Sequence, residues 1–106
     1  MQIAKVVGTV VSTNKSEKLS GLKLLLVQPL DIKTMKEKSG VLVAIDAVGA
    51  GPNEVVMLVA GSSSRQTAVT DNKPTDLTIV AIIDHIDLYD ERIFEKYGSS
   101  KEDANK

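Results

Sequence analysis

Residues 47–66 read AVGAGPNEVVMLVAGSSSRQ. Close-set glycines, three serines and an arginine either cradle an anion or only turn a chain. A phosphate-binding loop needs a Lys and a Ser/Thr after its glycines, between a strand and a helix. Here Gly49-Ala50-Gly51-Pro52-Asn53-Glu54 has no following lysine and runs directly into the strand-like VVMLVA. It does not spell the dinucleotide glycine fingerprint either. Glycines between two strand-like runs supply positive φ for a hairpin turn. Asn53 tolerates left-handed backbone as glycine does, and Pro52 fixes φ just before it. The stretch therefore reads as a turn between a third and a fourth strand, with Gly49 and Gly51 in positive-φ positions.

Working outward, the apolar segments are short and punctuated by turn signals, the pattern of an all-β barrel or sandwich. Strands are predicted over Ile3–Thr13, Leu22–Leu30, Val41–Val48, Glu54–Gly61 and Leu77–Ile86. The second stops near Pro29, because proline cannot donate to a sheet ladder. Asn14–Gly21, Asp31–Gly40 and Ser62–Asp76 are connections, and the charged Asp31–Gly40 stretch reads as a solvated loop. Beyond Ile86 the character changes. Tyr89, Ile93, Phe94 and Tyr97 fall near helical spacing, Asp90 can cap an N-terminus, and Gly98 suits the position past a C-terminus. The expected organisation is a β-domain over 1–88, a short amphipathic helix over 89–98 docked through Ile93, Phe94 and Tyr97, and a disordered tail over 99–106.

The strands VLVA, VVMLVA and IVAII are nearly continuous apolar runs, not alternating ones. Such runs occur where both faces of a strand are covered. With at most one short helix to provide cover, the expected cover for the second face is another copy of the same chain.

Composition narrows the function. The 106 residues carry 13 Lys+Arg against 14 Asp+Glu, a formal net charge of −1, so no basic footprint for nucleic acid stands out. The absence of cysteine removes disulfides, thiolate nucleophiles and cysteine-based zinc sites. Neither a signal-peptide pattern nor an apolar run of membrane-spanning length is read, so a cytoplasmic protein without membrane contact is expected. No cofactor is expected.

Two constellations could still carry chemistry. Ser62, Ser63, Ser64 and Arg65 could bind an anion, or could cap a helical turn and pin a neighbouring subunit. A serine nucleophile would need His85, the single histidine, with Asp84 or Asp87. His85 is read as a surface or interface residue, and the parity of Asp84 and Asp87 places them on opposite faces of a strand.

Taken in order, VVGTVVSTNK, LSGLKLLLVQPL, VAIDAVGAGPNE, VAGSSSR and PTDLTIVAIIDHI resemble the bacterial microcompartment vertex proteins of the EutN/CcmL family. The resemblance runs from Met1 to about Ile86. It implies a small closed five-stranded barrel of oligonucleotide-binding-like (OB-like) topology, assembled as a homopentamer at the corners of a polyhedral shell whose tiles are hexameric shell proteins. It implies a structural protein, not an enzyme. It makes Gly49, Gly51, Asn53, Glu54 and Ser62–Arg65 candidates for turn, pore or subunit-interface roles. Asn53 stands where the family usually has Gly and can still take the left-handed conformation, so the turn is expected to survive; Ser64 stands where the family usually has Ala and would add a hydroxyl near the pentamer centre that the resemblance implies. The alternative, an OB-like oligonucleotide-binding module, is disfavoured by charge and by strands without the aromatics that stack bases.

Overall fold

The computed structural model describes residues 1–12, 21–61, 66–67 and 76–96. Seven strands form: β1 (Gln2–Val10), β2 (Leu24–Pro29), β3 (Leu42–Asp46), β4 (Val55–Ala60), β5 (Leu77–Ile82), β6 (His85–Leu88) and β7 (Glu91–Glu95). The first five close a barrel in the order β1-β2-β3-β5-β4. All neighbours are antiparallel except β3 and β5, which run parallel.

One strand serves two sides of this barrel. The first half of β1, Gln2–Lys5, pairs with β4, and Ala4–Val10 pairs with β2. A bulge between Val6 and Gly8 leaves Val7 as the extra residue. An unpaired residue bends a strand and increases its twist, which is what a closing strand requires.

Residues alternate between the two sides of the barrel wall. The inward set, Ala4, Val6, Leu25, Val27, Ala44, Val56, Leu58 and Ile79, forms one core with Ala50. Aliphatic side chains of small and medium volume suffice to fill so narrow an interior.

The outward set is also apolar, which explains the continuous hydrophobic runs. Part of it is covered by the chain itself. Ile3, Leu30 and Val55 make a second cluster outside the barrel, packed by Met35, Ile83, Ile86 and Phe94. Met35 reaches it from the 31–40 loop, where the Asp31 carboxylate accepts from Lys33 N, Thr34 N and Thr34 Oγ1 and the chain turns back through a positive-φ Met35. These bonds hold the Asp31 carboxyl below its ordinary pKa, the Thr34 N–H most of all.

Two expectations are corrected. The fifth strand does not run to Ile86: it ends at Ile82, and His85 opens a new strand. The segment predicted as a helix is instead the second arm of a hairpin, β6–β7, with Ile86 opposite Phe94 and Leu88 opposite Glu91. Tyr89 and Asp90 form its two-residue turn with φ of 52° and 64°. Positive φ at both central positions suits a type I′ hairpin and is incompatible with an α-helix.

Candidate functional site

The glycine stretch proves to be a plug for one end of the barrel. It leaves β3 and enters β4, two strands that are not sheet neighbours, because β5 lies between them. It is therefore a crossover over the barrel end and not the hairpin turn expected from the sequence. Ala50 drops into the core at 1% exposure.

Asp46 organises the entry to this crossover. Its buried carboxylate accepts from Val48 N at 3.1 Å, Gly49 N at 3.0 Å and Ala50 N at 2.9 Å. Three backbone donors compensate the desolvation of a carboxylate, and Lys23 Nζ lies 3.9 Å from Oδ2. Sequence reasoning passed over Asp46; the signal available was an Asp three residues before a turn glycine. The exit is tied to β1, with Asn53 N donating to Val6 O and Val6 N donating to Glu54 O, both at 2.9 Å.

Within the loop the candidates separate. Gly49 and Asn53 have φ of 79° and 65°, as expected. Gly51 does not take positive φ. It is small because Glu54 is close: a Cβ there would sit 3.2 Å from Glu54 Oε1. Gly51 N donates to that same oxygen. The other oxygen of Glu54 receives Lys96 Nζ at 2.5 Å, and Lys96 N donates to Asp84 O at 2.7 Å. Glu54 thus joins the crossover to the end of the β6–β7 hairpin. Lys96, then the Gly51 N–H, holds the Glu54 carboxyl below the usual range.

Phe94 is half-buried against the second cluster, and Ile93 is half-buried beside it. Ser62, Ser63, Ser64, Arg65 and Tyr97 lie outside the described residues. His85 is exposed, and Asp87 pairs not with it but with Arg92, at 2.8 Å. The Arg92 hydrogen bond keeps the Asp87 carboxyl low.

The remaining surface of interest is the outer wall. Residues directly opposite in an antiparallel pair share a face. Gly8, Leu26 and Val43 form one row across β1, β2 and β3, and Val10 and Leu24 stand side by side in the next. Val41 and Val43 are 51% and 50% exposed. These rows are aliphatic, with the Lys5–Gln28 pair further along the same face, and they offer no ring on which a base could stack. A second region lies beside β4 and β5, where Met57, Ala81 and Ile83 line an open groove that Ile32, Asp84 and His85 also border.

A five-stranded barrel closed in this order, with aliphatic rows on its outer wall and a glycine crossover sealing one end, defines a small OB-like barrel of the assembling kind. Comparison with known proteins specifies which. The family model described as "Ethanolamine utilisation protein EutN/carboxysome" matches residues 1–84, and the chain belongs to this EutN/CcmL family. It is 45% identical over 96 residues to the carboxysome shell vertex protein CcmL of Synechocystis sp., covering 91% of this chain and 95% of that one. The solved structure of Gloeobacter violaceus CcmL superposes with a TM-score of 0.87 at 37% identity, over 92% of this chain and 99% of that one. The GrpN pentameric microcompartment shell protein from Rhodospirillum rubrum superposes with a TM-score of 0.75 at 42% identity, over 83% and 99%.

Proposed function

We propose that this chain is a structural vertex protein of a bacterial microcompartment shell, five copies forming a ring that closes a corner where hexameric tiles meet. The observation that carries the reading is the outer wall of the barrel. Aliphatic side chains stand half exposed on a closed barrel that needs no further core, and such a surface marks an interaction site. A pentameric relative with the same fold supports a ring of copies as the cover. Rings arise when unlike patches of identical chains meet through a rotation that closes. The role is architectural and calls for no catalytic group, and the shell places the protein in the cytoplasm.

Co-expression with hexameric shell tiles tests the reading. Electron micrographs should show closed polyhedra when the chain is present, and open sheets or tubes when it is omitted. Equal closure without it would contradict the vertex role.

A further inference from the structure

The crossover and β1 part company at one residue, and a cavity opens in the fork between them. β1 pairs with β4 only as far as Lys5 opposite Val55. The crossover then holds it through Asn53 N to Val6 O and Val6 N to Glu54 O. At the Val7 bulge β1 turns away and follows β2 as far as Val10 opposite Leu24. Between the departing strand and the crossover lies a cavity of about 230 Å³, open to solvent on one side.

Its floor is the buried Val6, Leu25 and Ala50, and Val7 and Pro52 add aliphatic walls. Gly8 and Gly51 contribute backbone, while Thr9 and Asn53 contribute uncharged polar groups. Among the described residues, the one charged side chain in the lining is Lys23. It precedes Leu25 by two residues and so stands on the same side of the chain, one step nearer the barrel mouth. Its Nζ lies 3.5 Å from Ala50 O and 3.9 Å from Asp46 Oδ2, two long contacts for a group with three N–H donors. Asp46 does not depend on it: that carboxylate is fully buried and accepts from three backbone N–H groups. The Lys23 side chain is 58% exposed, so its ammonium can bond an anion at the rim without leaving a buried charge unpaired.

These features define a ligand. An aliphatic floor takes an apolar body, and a single ammonium at the rim selects a single negative charge. Size sets the length of that body. An apolar cavity of about 150 Å³ holds the six carbons of benzene, so 230 Å³ takes roughly nine non-hydrogen atoms. We propose that this cavity binds a small aliphatic monocarboxylate of about seven carbons, its chain over Val6, Val7 and Leu25 and its carboxylate at Lys23 Nζ. A phosphate or nucleotide would bring more charge than one ammonium matches and would lay polar groups on the aliphatic floor. The site stands independently of the ring, because every residue that builds it comes from one chain.

Methyl-detected NMR of the full chain titrated with heptanoate tests it. Saturable shifts should appear at Val6, Val7, Leu25 and Ala50. 1-Heptanol has the same chain and no charge, and it should bind roughly tenfold more weakly, the loss expected of a hydrogen bond between charged groups. Lys23→Met keeps an aliphatic stem and should bring heptanoate down to the level of heptanol while leaving heptanol unchanged. Val7→Phe, at a position 45% exposed, fills the cavity and should abolish binding of both. An affinity for heptanoate no greater than for heptanol, an unchanged affinity in Lys23→Met, undiminished binding in Val7→Phe, or no saturable shift at these methyls would overturn the inference. None of these outcomes bears on the vertex reading, which stands or falls on the ring.

Discussion

Gly49 and Gly51 look equivalent in the sequence, yet physics separates them. Gly49 is needed for its backbone: φ is 79° and no atom lies within 4 Å of an added Cβ. Gly49→Ala should therefore cost about 1–2 kcal/mol, the strain of a left-handed alanine, and nothing by clash. A melt will report it as a lowered midpoint with the assembly preserved. Gly51 is needed for space, since an added methyl pushes on Glu54 Oε1. Gly51→Ala should weaken the Glu54–Lys96 pair and loosen the hairpin, seen as faster amide exchange across β6 and β7. Glu54 also makes stability depend on pH in a defined direction. Its carboxyl is lowered in the folded chain, by Lys96 first. The stabilisation is thus present above the unfolded value of roughly 4.3 and is lost as pH falls through the lower folded value. Glu54→Gln should melt below wild type at neutral pH, and the gap should close in acid. A gap constant across pH would show that Glu54 acts by packing alone. The positive φ of Asn53 was legible from residue type. The role of Gly51 was not, because it depends on a side chain three residues away and a lysine beyond β7.

At the scale of elements, the barrel strands were legible because short β-branched runs bounded by Gly, Pro and Asp leave little choice. The hairpin was not. Tyr89, Ile93 and Tyr97 repeat every four residues, which suggests a helix, and the rival signal was a two-residue link, Tyr89–Asp90, without the glycine that usually marks a type I′ turn. Tertiary context decides it. A two-stranded ribbon is marginal alone and needs a surface. Ile86 and Phe94 find one in Ile3, Leu30 and Val55. Phe94→Ala should lower stability by about 1–3 kcal/mol, the transfer loss of a ring that is only partly buried. Its effect should appear first as exchange and proteolysis within the hairpin. Arg92 joins Asp87 and Glu95, all about half exposed, and Arg92→Ala should leave the melt nearly unchanged.

For the whole molecule, the decisive sign is the lack of alternation. Runs such as VVMLVA imply two buried faces by their hydrophobicity pattern alone, and the barrel interior accounts for one of them. The order β1-β2-β3-β5-β4 was not readable from periodicity, because strand pairing across 62–75 leaves no local trace, and only the family resemblance implied it. The other face asks for neighbours, and the fold's relatives include a pentamer. Native mass spectrometry of the purified chain tests this most directly. The account predicts one dominant species at five times the 11.4 kDa chain mass, persisting on dilution. A stable monomer at micromolar concentration would contradict it.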